Sequence, residues 1–274
     1  MKTVIGIDIG GSTTKIVAAS GGKINFPEFV RAGDPLTALY GAFGKFTVEN
    51  SIKLSDIEKV YLTGVGASYL KEPIYGLPCE KVAEFDCLGR GGLFLSGLDR
   101  AIIVSMGTGT ALVCARRDGE NVVTSYLGGT GIGGGTLMGL SKKLLSMNSP
   151  ESIIELAKHG DLDKVDLKIK DISTKDAISL HPDLTAANFG KISDSASDAD
   201  IALGIINMIF ETTVMLCVFA ARKENIRDVV VTGNLATIPE AKPILSDLGE
   251  KFDLNFIIPE NALFATAVGA ARTR

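Results

Sequence analysis

Apolar residues in this chain come in short β-branched runs, separated by glycine-rich turns and by stretches of helical spacing. Val4-Ile5 opens the first run, and β-branched residues resume over 15–19 after Gly6-Ile7-Asp8-Ile9-Gly10-Gly11-Ser12-Thr13-Thr14-Lys15. The pattern predicts a buried strand, a tight turn and a returning strand. A helix over 35–48 and a strand over 59–63 follow, the latter leaving through Gly64-Val65-Gly66-Ala67. Residues 82–85 read as a short strand or loop feeding a helix over 87–98.

The second half begins in the same way. Ala101-Ile102-Ile103-Val104 runs into Ser105-Met106-Gly107-Thr108-Gly109-Thr110, and strands are expected over 110–115 and 122–127. Six glycines in the eight positions 128–135 then lead into a helix over 136–146, and Ser149-Pro150-Glu151 starts another. Residues 161–197 are polar and charged, as an inserted surface lobe or lid would be. Residues 198–225 carry a long helix, apolar over much of its circumference and so expected to be buried. A strand over 228–232 ending in Gly233-Asn234, a helix after Pro239, a strand over 255–258 and a terminal helix from Asn261 complete the chain.

The repeated opening predicts an α/β protein of two duplicated lobes, 1–99 and 100–274, with a ligand cleft between them. Composition narrows the partners. A net charge of −4 and the lack of a basic stripe with interleaved aromatics give nucleic acid no footprint. The longest apolar run, 201–221, is broken by Asn207, Glu211 and Thr212-Thr213, which favours a core helix over a membrane span. Four cysteines without metal-ligand spacing fit a reduced, cytoplasmic protein.

Two glycine-and-hydroxyl turns facing one another suit a polyphosphate, because glycine lets backbone N–H groups converge on an anion and the hydroxyls add donors. Asp8 is an ionisable group inside an apolar strand. It either caps its own turn or holds Mg²⁺, and the donors around it favour the metal. Lys15 reads equally as a phosphate contact or an exposed strand start. The 128–135 turn enters a helix N-terminus, a ready anion site. Glu84 suits a general base at the mouth of a cleft, or a helix-capping carboxylate, a role Asp86 fills equally well. His159 and His181 read as solvated or structural.

These residues resemble type II pantothenate kinases, of the acetate kinase/sugar kinase/actin-like ATPase superfamily. The likeness rests on residues 8–15, Glu84-Phe85-Asp86, Gly107-Thr108-Gly109-Thr110, Gly133-Gly134-Gly135, His159-Gly160-Asp161 and Asp183-Leu184-Thr185-Ala186-Ala187-Asn188-Phe189-Gly190. It implies two ribonuclease-H-like lobes and a homodimer joined through the long helix. It implies transfer of the ATP γ-phosphate to the primary hydroxyl of pantothenate, the entry to coenzyme A, with CoA or an acyl-CoA as a feedback ligand. Glu84 would be the base and Asp8 the Mg²⁺ residue. The nucleotide would be held by Asp8, Ile9, Gly10, Gly11, Ser12, Thr13, Thr14, Lys15, Thr108, Gly134, Gly135, Thr136, Leu137, Met138, Gly233 and Asn234. Ser105, Thr108, Thr110 and Tyr126 would face the acceptor.

Tyr126 departs from the family pattern, which places an arginine there to pair with the pantothenate carboxylate. A tyrosine offers one neutral hydrogen bond where arginine offers a charged fork, so an acceptor lacking the carboxylate, such as pantetheine, becomes an alternative. Arg116 and Arg117 would compensate only if their hairpin folded back. Two other classes compete. An ATP-driven activator of 2-hydroxyacyl-CoA dehydratases shares the opening motif and a cysteine near Cys87, but needs a second cysteine in a glycine-rich turn that here has none. A non-catalytic CoA or nucleotide sensor is the other, and the retained Glu84 argues against it.

Overall fold

The computed structural model describes residues 2–273 apart from Ser12, Ala32, Gly33 and 174–179. The first lobe is built on β1 (Thr3–Ile9), β2 (Thr13–Ser20) and β3 (Lys23–Arg31), followed by α1 (Pro35–Glu49). Next come β4 (Ile57–Thr63), β5 (Cys79–Lys81) and α2 (Glu84–Ser96). The sheet order is β3-β2-β1-β4-β5, with β1, β4 and β5 parallel and β2 and β3 returning antiparallel. The strand β3 falls in a stretch whose Pro27 and scattered charges hide the strand pattern. It lies at the sheet edge, where strands tolerate proline.

The second lobe repeats this plan. It starts with β6 (Arg100–Met106), β7 (Thr110–Asp118) and β8 (Asn121–Thr130), then α3 (Gly134–Leu144) and α4 (Pro150–Ala157). A small hairpin-like unit follows, made of β9 (Leu167–Lys168), α5 (Ile169–Ile172) and β10 (Thr185–Ala187). The chain ends with α6 (Asp198–Glu224), β11 (Asp228–Thr232), α7 (Ala241–Phe252), β12 (Asn255–Ile257) and α8 (Ala265–Ala271). The order β12-β11-β6-β7-β8 reproduces the first sheet strand for strand. The duplication expected from the two similar openings is therefore present in the topology.

Alternation along the central strands decides which helix covers which face. Ile102 and Val104 face α6 through Ile205, Ile209, Phe210 and Val214. Ala101 and Ile103 face the other way, onto Leu88 and Leu93 of α2. In the first sheet, Ile5, Ile7 and Ile9 meet Leu39, Phe43 and Phe46 of α1, while Val17 meets Ala267, Val268 and Ala271 of α8. So α2, which follows the first sheet, lies on the second. The equivalent helix α8, which follows the second sheet, lies on the first. The pair forms a shared central layer, and its backbones nearly touch. A Cβ at Gly91 would sit 1.8 Å from the Ala265 carbonyl oxygen, and one at Gly269 would sit 1.7 Å from that of Cys87.

The 161–197 region is docked onto α6 by three carboxylates. Asp166 accepts from Asn207 Nδ2 (2.8 Å) and the Phe189 amide (2.9 Å), and Glu211 accepts from Thr185 Oγ1 and Asn188 Nδ2 (2.6 and 2.7 Å). Asp200 accepts from the amides of Ser197 and Asp161, 2.8 Å each. Glu211 and Asn207, which interrupt the apolar run of α6, are thus the points where this unit is fastened.

Gly91→Ala is expected to destabilise the protein by about 1–3 kcal/mol or more, because the clash is with backbone that no rotamer change relieves. Gly41→Ala, on the open side of α1, is expected to stabilise it by up to about 1 kcal/mol. Denaturant unfolding of both variants checks the pair.

Candidate active site

Asp8 is the penultimate residue of β1 and is buried, opposite Lys15 in the β1–β2 ladder and Thr63 in β4. Lys15 Nζ lies 3.9 Å from Asp8 Oδ2, and both side chains are about nine-tenths removed from solvent. Lys15 is therefore no exposed strand start. Burial pushes the Asp8 carboxyl above the usual carboxylate range, and the Lys15 charge only partly offsets this. Asp8 also has no side-chain capping hydrogen bond to its turn among the described residues; the turn is closed by the Gly10 amide donating to the Thr13 carbonyl at 2.9 Å. Space beside the carboxylate is kept by Gly64, at φ +86°, where a Cβ would come 2.6 Å from Asp8 Oδ1. Asp8 is thus a buried carboxylate with a side-chain-free neighbour; among the described residues no group of three or more His, Cys, Asp or Glu gathers to hold a metal ion, so Asp8 would contribute a single carboxylate to one.

Glu84 stands at the first position of α2, three residues before the start expected from the apolar pattern. Two acidic residues in the first turn extend the helix toward its N-terminus by complementing the helix dipole. The cap residue is Ala83, without a side-chain hydrogen bond, and Asp86 is engaged by Thr124 Oγ1 of β8. Glu84 is left with no hydrogen-bond partner among the described residues. Its carboxyl is water-accessible yet recessed enough that desolvation raises its proton affinity, the Asp8 charge raises it further, and Lys15 lowers it. Glu84, Asp8 and Lys15 thus form one electrostatic cluster, contributed by helix α2 and strands β1 and β2.

The second turn is built against the triple glycine. The amides of Gly134 and Gly135 donate to the carbonyls of Gly107 and Thr108, 2.8 Å each, and the Gly107 amide donates to Gly109. The first amides of α3, expected to point at phosphate, are therefore engaged by the second turn. Thr136 Oγ1 donates to the Gly131 carbonyl (3.2 Å) and accepts from the Gly133 amide (3.2 Å). Thr110 is buried and its hydroxyl donates to the Ile132 carbonyl (2.8 Å). The Thr108 side chain is exposed and has no hydrogen-bond partner among the described residues. Ser105 sits half-buried on β6 opposite Thr232.

The side chains of Ile9 and Leu137 lie in the cores of their lobes, so any contact these two residues make with a nucleotide would be through the main chain; Met138 packs partly buried on the second core. Thr14 is buried and Thr13 half-buried at the start of β2, Gly10 and Gly11 form the turn, and Ser12 lies outside the described residues. Gly233 has φ +90° and sits against Met106, and the Oδ1 of Asn234 is buried without a partner. Tyr126 meets the start of α2, its ring stacked on Phe85. Phe85 and Gly64 were not singled out from sequence as site residues. The signals for them are the Glu84-Phe85-Asp86 stretch of the family resemblance for Phe85, and for Gly64 its place at the end of a buried strand.

The profile of the Fumble family matches residues 100–242, just over half of the chain. A type II pantothenate kinase of Staphylococcus saprophyticus is 30% identical over 241 residues, 84% of each chain. The chain belongs to the type II pantothenate kinase family. A second member, from Oceanobacillus iheyensis, is 29% identical over 276 residues, 97% of each chain. This makes the protein an enzyme of a phosphotransferase family. Among solved structures, the activator of 2-hydroxyisocaproyl-CoA dehydratase from Clostridium difficile, with bound ADPNP, has a TM-score of 0.67 at 18% identity, covering 98% of this chain and 92% of that one. A ROK hexokinase from Thermus thermophilus has a TM-score of 0.57 at 13% identity, covering 98% and 97%. Those likenesses place the family member in the actin-like ATPase and sugar-kinase fold.

In the unliganded protein, the Glu84 carboxyl is expected to titrate above the ordinary glutamate value of about 4.5. Lys15→Met is expected to move that midpoint higher, because the lysine charge is what lowers it. Carbon-detected NMR of the side-chain carboxyl across a pH series checks both.

Proposed function

We propose that the protein phosphorylates the primary hydroxyl of pantothenate or a close relative at the expense of ATP, in the cytoplasm, as the first step toward coenzyme A. The observation that carries this reading is Glu84. It is a carboxylate in electrostatic reach of the Asp8–Lys15 pair that, among the described residues, has no hydrogen-bond or salt-bridge partner.

In this reading Glu84 accepts the proton of the acceptor hydroxyl as its oxygen bonds to the γ-phosphorus and ADP departs. Its raised proton affinity makes it a stronger base than an ordinary glutamate. When bound, Mg²⁺–ATP supplies the phosphoryl group and the neutralising charge. Asp8 holds the cation side. The 10–14 turn and the Thr108 hydroxyl hold the phosphates, and the Lys15 charge favours the ionised form of Asp8 against its burial. Gly134, Gly135 and Thr136 act chiefly by fixing the second turn. Asn234, whose buried Oδ1 has no protein partner, faces the nucleoside. The cut at 99/100 separates the strands of the two lobes, while the exchanged helices α2 and α8 make the cleft a joint product of both.

The fold is shared with dehydratase activators, so their iron–sulfur chemistry is the natural competitor. Two features favour the kinase. Cys87 is fully buried, with its thiol pushed up to about 11 by desolvation, so it presents no thiolate to a cluster shared across a subunit boundary. The 128–135 turn has no cysteine to supplement it.

The same reading includes a homodimer. Leu216, Phe219 and Ala220 of α6 line an apolar groove of about 190 Å³ with Leu112 and Leu127, beside the edge strand β8. Phe219 is 58% exposed, whereas the other large apolar side chains of α6 are buried or half-buried.

Glu84→Gln is expected to lower kcat by about 10²–10⁴-fold while changing ATP affinity less than twofold, read from ADP release and from calorimetry. Unchanged turnover would place the base elsewhere. Phe219→Asp is expected to convert dimer to monomer by light scattering. An unaltered mass would remove α6 from the interface.

A further inference from the structure

The rings of Phe85 and Tyr126 stack 4.3 Å apart with an interplanar angle of 12°. Yet they remain 37% and 53% exposed, so the pair does not belong to a core. It is a surface wall at the N-terminus of α2, where Phe85 directly follows Glu84 in the chain. Its position is fixed on the α2 side, because Asp86 accepts from Thr124 Oγ1 and Gly89 lies against the Thr124 methyl group. Thr124 and Tyr126 are two residues apart on β8 and share the face turned to α2.

The cations nearby are committed elsewhere. Across the β7–β8 ladder Val113 pairs with Tyr126, Ala115 with Thr124 and Arg117 with Val122, so these share a face. Arg116 projects from the opposite face. Arg117 lies four residues along the strand from Tyr126, about 13 Å at ~3.3 Å per residue. Its Nε donates to Asp99 at 2.9 Å. Lys15 faces Asp8, and Arg90 Nη1 donates to Thr273 Oγ1. An aromatic face carries negative quadrupole density, which disfavours a carboxylate laid on it and accepts an amide N–H or a sulfur atom.

We infer that the Phe85–Tyr126 pair selects an acceptor that is uncharged at the end remote from its phosphorylated hydroxyl, a hydroxy-amide bearing a thiol, in preference to the free carboxylate. Pantetheine is the probe of the first class and pantothenate of the second. The inference rests on the kinase reading above and assigns its acceptor class.

The test compares kcat/KM for pantetheine and pantothenate in the full-length wild type, Tyr126→Arg and Tyr126→Phe. The wild type is expected to favour pantetheine by tenfold or more. Tyr126→Arg should shift that ratio toward pantothenate by about tenfold, as one charge-assisted pair would. Tyr126→Phe, which keeps the ring and loses the hydroxyl, should retain the wild-type preference. A wild type that favours pantothenate, or a ratio that moves less than twofold in Tyr126→Arg, overturns the inference. Turnover of neither acceptor would overturn the kinase reading. In that event calorimetric binding of the two acceptors to Glu84→Gln with a non-hydrolysable ATP analogue decides the selectivity alone. Tighter pantetheine binding that Tyr126→Arg reverses sustains it, and equal or absent binding ends it.

Discussion

The contact between α2 and α8 is the constraint from which the remaining geometry follows. Each helix follows one sheet in sequence and covers the other in space, and the two cross with backbone against backbone at Gly91 and Gly269. No side chain fits between them, so their separation is set by van der Waals contact of the main chains. Because α2 lies on β6, β7 and β8 while α8 lies on β1, β2 and β4, this crossing fixes how the two sheets face one another. It also fixes where the first residue of α2 arrives. Glu84 is carried by a helix docked on the second sheet but is held within electrostatic reach of Asp8 in the first.

Charge at the site follows from that placement. Asp8 is buried because β1 is the centre of its sheet, and among the described residues the cation paired with it is the cross-strand Lys15. Burial raises the proton affinity of both carboxylates, and the neighbouring charge adds to it for Glu84. The arrangement carries an electrostatic cost that a cation bound near Asp8 would relieve. Such local cost is expected where a site is shaped for a ligand rather than for stability. The second turn is different in kind. Its carbonyls are satisfied by the amides of Gly134 and Gly135, so it is a braced structural element that presents Thr108 outward.

Much of the fold was legible in the chain. Strands β1, β2, β4, β6 and β11 announce themselves as β-branched runs bounded by glycine, and the repeated opening of the two halves foretells the duplicated sheets. The edge strand β3 was not legible, because Pro27 and charged residues erase its alternation, and its pairing comes from β2 rather than from its own pattern. The start of α2 was misplaced by three residues because acidic first-turn residues carry no apolar signal. At the site, Asp8 and the glycine turns stand out by residue type and spacing, whereas spacing leaves Glu84 between base and helix cap and only the family resemblance implies the base. The engagement of the Gly134 and Gly135 amides, the core positions of Ile9 and Leu137, and the Phe85–Tyr126 stack could not be read from the chain.

The sequence by itself determined the strand–turn–strand units, the buried character of the long helix and the residue types available for phosphoryl transfer. Each depends on local periodicity or on the chemistry of one side chain. Tertiary structure decided which lobe each central helix covers, which amides are free, and what stands next to Glu84. Those depend on contacts between residues distant in the chain, such as Thr124 with Asp86 and Tyr126 with Phe85. No local rule specifies them, because their energy exists only once the two sheets have closed on the α2–α8 pair.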